Sequence, residues 1–341
     1  MTVSAQNRET LPRLAVIGTG GSISTPARHE LDLHEYGEGS RPLEVDELLG
    51  RFPAALAGYD LVPVRFRAVD SVVMDPPTWL ELHRRISETA ASDPSIVGVV
   101  VTHGTSTLEE TAYFLHLTLK TRVPVVLVGS QRPPHAMSSD AGLNLLNALR
   151  VAAAPVARNA GVLVVMNDEV HSARDISKSA NFSLQAFRSA DGGALGSIDA
   201  DGKVAMYRRP LRRHLPDTEF DVTTLDALPV VEIIYSYAGA SGRAVAALVD
   251  DGCQGIVFAG MPPGRASPAQ EVELVRAVDR GVLVVQCSRA GSSRVVPRSG
   301  DRRMGFVAAD NLNAQKARVL AMLALTRTRE RAEFERMFGE Y

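Results

Sequence analysis

The chain alternates between short apolar runs and amphipathic segments. Continuous apolar runs predict buried strands, and apolar positions that recur every three or four residues predict helices. Up to about residue 200, the predicted strands lie near 13–18, 61–68, 96–101, 123–128 and 161–166, and the predicted helices near 45–57, 77–91, 108–119 and 138–154. This alternation predicts a mostly parallel sheet with helices on both faces.

The alternation is then interrupted and resumes. Residues 199–203 predict a hairpin turn, and the polar residues 208–228 lack periodicity and predict a linker. Beyond it, the predicted strands lie near 230–235, 255–259 and 282–286, and the predicted helices near 241–250, 268–280 and 311–326. We therefore expect an α/β protein of two domains, the larger over 1–207 and the smaller over 229–341, joined by the linker 208–228.

Composition narrows the possible partners. The 341 residues suffice for two cores, and a net charge of −2 with dispersed basic residues argues against nucleic acid. We find no membrane-spanning run, and residues 1–12 lack the apolar core of a secretory signal, so we expect a cytoplasmic protein with a small-molecule partner. Cys253 and Cys287 are too few for a disulfide framework and are expected to be buried thiols.

The first predicted strand ends in Gly20 and Gly21, directly before Ser22. A glycine pair lets the backbone turn tightly at the carboxyl end of a sheet, where ligands bind, and this suits a nucleophilic hydroxyl. An ordinary turn serine is the alternative. A dinucleotide loop would need a third glycine where Ile23 stands, and a phosphate loop would need a lysine after the glycines.

The third predicted strand leads into a loop rich in hydroxyl groups, with Gly104, Thr105 and Ser106 ahead of a helix. Thr107 and Glu110 have the spacing of a capping box, which would start that helix at Thr107. Backbone N–H groups at such a helix start favour negative charge. The loop is therefore a second candidate part of a catalytic site.

Other chemistries fit poorly. The nearest metal-like group is His29, Glu30 and His34, but its histidines are five residues apart and would not share a helix face. The sequence also has no G-x-S-x-G elbow of a Ser-His-Asp hydrolase. We expect neither a metal nor an organic cofactor.

Two motifs resemble signatures of the bacterial L-asparaginase and glutaminase-asparaginase family. Residues 19–24, T-G-G-S-I-S, are similar to its T-G-G-T-I-A turn, and residues 103–114, H-G-T-S-T-L-E-E-T-A-Y-F, to its H-G-T-D-T-x-E-E-T-A-Y-F loop. The likeness continues through 124–133, 161–168, 174–178, 305–307 and 312–318. The resemblance implies a two-domain α/β hydrolase, assembled as a homotetramer of intimate dimers, with each site shared between two subunits.

The resemblance also implies roles for three polar residues. Ser22 stands where the family has a threonine that attacks a side-chain carboxamide. Lys178 matches the lysine that pairs with the equivalent of Thr105, and a desolvated lysine can accept a proton. Together they imply catalysis through an acyl-enzyme.

The surroundings of the nucleophile match the family as well. Tyr36 corresponds to the tyrosine of a lid that closes over the nucleophile, with Gly37 and Gly39 as its hinge. Gly21 and Gly104 are assigned to substrate binding.

At the positions expected to bind the substrate, the differences from the family all remove groups that would bind an α-ammonium. Ser71 matches the serine that holds the substrate α-carboxylate. Four positions that would hold the α-ammonium are replaced: a glutamine by Val72, an aspartate by Ser106, an asparagine by Gly239 and a glutamate of the partner subunit by Arg298. Burying an ammonium group without partners costs several kcal/mol, so we expect a substrate that lacks it.

The prediction is therefore a Ser-nucleophile hydrolase that acts on a small carboxylate-bearing amide, ester or lactone. A true L-asparaginase, which releases ammonia and aspartate, is the first alternative. A catalytically weak binding or regulatory homologue is the second, and the retention of Ser22, Thr105 and Lys178 argues against it.

Overall fold

The structure is a computed structural model, and it describes residues 11–38 and 40–341. Its strands are β1 (Arg13–Gly20), β2 (Asp60–Val69), β3 (Ile96–Thr102), β4 (Val125–Val128), β5 (Val162–Met166), β6 (Glu169–Ser172), β7 (Ile176–Lys178), β8 (Phe187–Ser189), β9 (Gly196–Ile198), β10 (Val204–Met206), β11 (Val231–Tyr235), β12 (Gly255–Gly260), β13 (Leu283–Ser288) and β14 (Val307–Ala308). Its helices are α1 (Val45–Leu49), α2 (Pro53–Leu56), α3 (Pro76–Ser92), α4 (Leu108–Thr118), α5 (Ala141–Ala153), α6 (Arg243–Asp250), α7 (Pro268–Asp279), α8 (Ser299–Arg303), α9 (Ala314–Leu325) and α10 (Arg331–Glu340).

The larger sheet has eight strands in the order β10-β9-β6-β5-β4-β3-β1-β2. The five strands from β5 to β2 in this order are parallel, and β6, β9 and β10 extend the sheet in antiparallel fashion. Successive residues of β1 face opposite sides: Ala15 and Ile17 join the core that contains α3 and α4, whereas Leu14 and Val16 join the core that contains α1 and α5. Helices on both faces explain why residues 14–17 of this strand are all apolar.

The smaller sheet consists of β11, β12, β13 and β14 in that order, all parallel. Helix α9 connects it to the larger unit, because Val319 and Leu320 lie in the same buried cluster as Phe114 of α4 and Val257 of β12. The predicted α/β architecture with one large and one small sheet is confirmed.

Most predicted elements are present within a few residues of their expected bounds, and the hairpin turn at 199–203 is present between β9 and β10. The single helix expected over 45–57 is wrong. It divides into α1 and α2, because Pro53 has no backbone N–H to continue the first helix. Residues 208–228 contain no helix or strand, but Phe220 and Val222 are buried in the core, and the role of this segment as a linker stays a prediction.

Two further expectations concern membranes and thiols. No helix in the described part of the chain combines the length and apolarity that a bilayer crossing requires. Cys253 and Cys287 are buried free thiols, as predicted.

Candidate active site

A cleft of about 660 Å³ opens where β1, β2 and β3 end at the edge of the larger sheet. It is lined by residues that directly follow these strands, among them Ser22, Ser71 and Thr105. The carboxyl ends of parallel strands are the usual ligand site in open α/β sheets.

Glycine allows the three strand-end loops to touch. The Gly21 N–H donates to the Val69 carbonyl oxygen over 3.0 Å, and Gly21 has a φ of 82°. A Cβ on Gly21 would lie 2.1 Å from the Gly104 Cα, and one on Gly104 would lie 2.6 Å from the Ser71 Oγ. Both distances are far below van der Waals contact, so side chains at these positions would force the loops apart.

Ser22 begins the turn after Gly21, and its Oγ lies 2.8 Å from the Tyr36 phenol oxygen. Tyr36 belongs to the segment that precedes α1, which is the predicted lid. Buried Asp32 organises this segment by accepting from the Arg28 Nε and from the Glu35 backbone N–H, each over 3.0 Å. The structure thus brings Ser22 and Tyr36 into hydrogen-bond contact.

Gly37 and Gly39 are the proposed hinge glycines of the lid. Gly37 has a φ of 99°, a backbone conformation that favours glycine. Gly39 lies outside the described residues.

Lys178 lies at the end of β7, and its Nζ donates to the Thr105 Oγ1 over 2.7 Å. Thr105 is buried, and Lys178 is half-buried at the same cleft. Burial lowers the pKa of Lys178, since removal from water disfavours the charged ammonium. The neutral amine that this favours is the form that accepts a proton.

Ser71 is held by two contacts from the loop before α4. Its Oγ accepts the Ser106 N–H over 3.2 Å, and its carbonyl oxygen accepts the Thr107 hydroxyl over 2.8 Å. The predicted capping box of Thr107 and Glu110 is therefore wrong: the Thr107 hydroxyl bonds Ser71 instead of the helix backbone, although α4 does start after Thr107. The Ser71 hydroxyl keeps its own proton available for a ligand oxygen.

Three of the positions that correspond to ammonium-binding residues of the family lie away from the cleft. The Val72 residue is 66% exposed and is not part of the cleft lining. Gly239 lies in a turn after β11 with nothing near a would-be Cβ. Arg298 precedes α8 and forms a two-point ion pair with Asp301, at 2.6 Å and 3.0 Å.

Two carboxylates that were not predicted line the cleft. Asp70 lies between β2 and Ser71, and its Oδ1 accepts the Val72 N–H over 3.1 Å. Glu38 lines the cleft from the lid. Carboxylates are good partners for ammonium groups. The position of Asp70 directly before Ser71 was the available sequence signal.

No group of three or more histidine, cysteine, aspartate or glutamate side chains in the described ranges could hold a metal ion. The expectation that catalysis needs no metal or organic cofactor stays a prediction.

Fold and cleft define an α/β protein with a large and a small sheet, a two-stranded sheet of β7 and β8, and a hydroxyl group presented at the strand ends. Residues 13–212 match the family model "Asparaginase, N-terminal", and residues 230–338 match "Glutaminase/Asparaginase C-terminal domain". The chain is 39% identical to L-asparaginase 2 of Bacillus subtilis, covering 100% of this chain and 89% of the relative. It is also 39% identical to the glutaminase-asparaginase of Pseudomonas fluorescens, covering 99% and 94%.

A solved structure agrees with these matches. The crystal structure of a probable cytoplasmic L-asparaginase from Campylobacter jejuni superposes with a TM-score of 0.92 at 39% identity, covering 96% of this chain and 99% of that one. The chain belongs to the asparaginase family, and it is a hydrolase of that family.

Proposed function

We propose that this hydrolase cleaves the carboxamide of a small carboxylate-bearing substrate, with the Ser22 Oγ as nucleophile. The observation that carries the proposal is the presence of two hydrogen-bonded pairs in one cleft, Ser22 with Tyr36 and Thr105 with Lys178. A free hydroxyl is a poor nucleophile at neutral pH, so a neighbouring group must take its proton.

The reaction has two halves. In the first, the Ser22 Oγ bonds to the carboxamide carbon, the C–N bond breaks, and the nitrogen leaves as ammonia after taking up the proton that Ser22 lost. In the second, water attacks the resulting ester, the carboxylate product leaves, and Ser22 regains its proton. Tyr36 and the pair of Thr105 and Lys178 are the proton-handling groups on this proposal, and Ser71 binds the substrate carboxylate.

L-Asparagine is the substrate that the relatives favour, since the Bacillus relative is named an L-asparaginase and the Pseudomonas one a glutaminase-asparaginase. The cleft supports this choice through charge. Asp70 and Glu38 offer carboxylates to an α-ammonium even though Ser106 does not.

A substrate without an α-ammonium is the second candidate, and it extends to an ester or a lactone. It is supported by the neutral Ser106 in the cleft lining, which offers no charge to an ammonium group. A missing charge-assisted hydrogen bond is worth about 1.5–3 kcal/mol, so this loss would weaken recognition of asparagine about tenfold to a hundredfold.

The test compares kcat/KM for L-asparagine and for succinamate, which is asparagine without its amino group. A tenfold preference for asparagine supports the first candidate, and a tenfold preference for succinamate supports the second. Asp70→Asn keeps the cap on Val72 but removes the charge, so it should lower the rate for asparagine and leave succinamate unchanged. Asp226→Asn, an exposed change away from the cleft, is the control.

Location and assembly belong to the same proposal. We propose a cytoplasmic homotetramer of intimate dimers, with Arg298 of one subunit near the cleft of another. The Campylobacter protein is named cytoplasmic, whereas a Haemophilus influenzae relative is named periplasmic. Light scattering coupled to size-exclusion chromatography should give four times the mass of one chain, and a monomeric mass with full activity would contradict a shared site.

A further inference from the structure

A buried polar cluster lies behind the strand that carries Lys178. Lys316 of α9 is only 2% exposed, and its Nζ donates to the backbone carbonyl oxygens of Arg174, at 2.8 Å, and of Ile176. The same ammonium lies 3.9 Å from the Glu109 Oε2. A lysine from the smaller unit therefore bonds the backbone of the segment that leads to Lys178.

Asn313 at the start of α9 completes this cluster. Its side-chain amide donates to the Glu109 Oε2 and to the Ser177 Oγ, each over 3.0 Å. Its Oδ1 accepts the Lys316 backbone N–H over 3.0 Å, which caps the helix and fixes the amide in place.

The cluster contacts both segments that carry the proton-handling pair. Ser177 and Lys178 are consecutive in β7, so their side chains point to opposite faces: Ser177 towards Asn313 and Lys178 towards Thr105. Glu109 lies in the first turn of α4, four residues after Thr105. The distance between Thr105 and Lys178 thus depends on how α4 and β7 are held together.

We propose that Lys316 and Asn313 are positioning residues, which clamp β7 against α4 so that the Lys178 Nζ stays within hydrogen-bond reach of Thr105. The proposal rests on the proposed function, because it assumes that Lys178 handles a proton. Without the Lys316 ammonium, two buried carbonyl oxygens lose a donor and the segment before Lys178 can shift. A displacement of about 1 Å at a reacting group can cost a hundredfold in rate.

The first test is Lys316→Met, which keeps an unbranched side chain only one atom shorter and removes its donor. We expect kcat for L-asparagine or succinamate, whichever is turned over faster, to fall about tenfold or more, with KM changed less than about threefold. Arg318→Met is the matched control: Arg318 also lies on α9 and donates to a backbone oxygen, that of Val231 over 2.7 Å, which belongs to β11 and not to β7. Its kcat should stay within about twofold of the parent.

The second test separates positioning from general loss of structure. In a Lys178→Met background the group being positioned is gone, so adding Lys316→Met should lower the rate no further. Additive losses would overturn the proposal. Ser177→Ala, which removes only the hydroxyl that contacts Asn313, gives a readout if Lys316→Met does not fold, and it should lower kcat a few-fold at unchanged KM.

Different results would contradict the proposed function of Lys178 and the positioning role of Lys316 and Asn313. If Lys178→Met is fully active, the proposed function is wrong for Lys178. If Lys178→Met is impaired but neither Lys316→Met nor Ser177→Ala changes kcat, only the positioning role is wrong.

Discussion

Gly21 and Gly104 lie so close together that a Cβ on the first would come within 2.1 Å of the Cα of the second. The two residues follow different strands, and Gly104 in turn lies against the Ser71 Oγ. The loops that carry Ser22, Thr105 and Ser71, the proposed nucleophile, proton-handling group and carboxylate-binding group, therefore form one packed unit. Their relative positions are set by backbone contact.

We expect Gly104→Ala to lower kcat/KM at least a hundredfold, because the added methyl group would meet the Ser71 Oγ at 2.6 Å, below van der Waals contact, and a displacement of about 1 Å at a reacting group can cost this much. Gly58→Ala is the control, since a Cβ there meets nothing within 4 Å. Steady-state rates and thermal melting of both variants check this. Full activity in Gly104→Ala would show that the loops need not touch.

Lys178→Met should lower kcat at least a hundredfold, within the range for a positioned acid or base. Thr105→Val should have a similar effect, and Thr105→Ser, which keeps the hydroxyl, a small one. A loss below about fivefold in Lys178→Met would mean that Tyr36 or a water molecule, and not Lys178, accepts the proton.

The pH dependence should follow the protonation of Lys178. Only the neutral amine accepts a proton, so activity should rise with pH as Lys178 deprotonates. Burial lowers the pKa of this group, so the rise should occur at lower pH than for a free lysine. The kcat/KM profile of the parent should show this limb, and a Lys178→Met variant with the same limb would contradict the assignment.

Stability should depend on pH through Lys316. Burial lowers its pKa from 10.5 to about 8, so between these values the unfolded chain binds more protons than the folded one. The free energy of unfolding should therefore rise with pH across this window, with a contribution from Lys316 of at most about 3 kcal/mol, and the rise should be smaller in Lys316→Met. Denaturant titrations of the parent and of Lys316→Met at pH 7 and pH 10 measure the change in the free energy of unfolding. An equal change in the two proteins would show that Lys316 does not cause it.

The apolar strands and long helices were predictable because burial on both sheet faces imposes long apolar runs, as in β1 and β3. The missed strands are short: β6, β7, β8 and β14 have two to four residues, too few for a periodic pattern, and β9 and β10, with three residues each, were indicated only by the hairpin turn between them. Helix α10 was missed although its buried Phe334, Met337 and Phe338 have helical spacing.

Much of the candidate site also followed from the sequence, since Ser22, Ser71 and Thr105 come directly after strands that end at one sheet edge. Other parts depend on three-dimensional packing. The Thr107 hydroxyl donates to the carbonyl oxygen of Ser71, 36 residues away, and not to the backbone of its own helix. Local spacing in the sequence cannot predict such a contact. Likewise, Lys316 reaches Arg174 across 142 residues of chain.

The covalent intermediate on Ser22 is the central claim, and mass spectrometry tests it most directly. The protein is treated with a reactive acyl compound, quenched in acid and digested, and the acylated peptide is sequenced. We expect the acyl group on Ser22, no label and no turnover in a folded Ser22→Ala protein, and partial activity in Ser22→Thr, whose extra methyl group restricts the side chain. An acyl group on Thr105, or an unchanged rate in Ser22→Ala, would contradict the account.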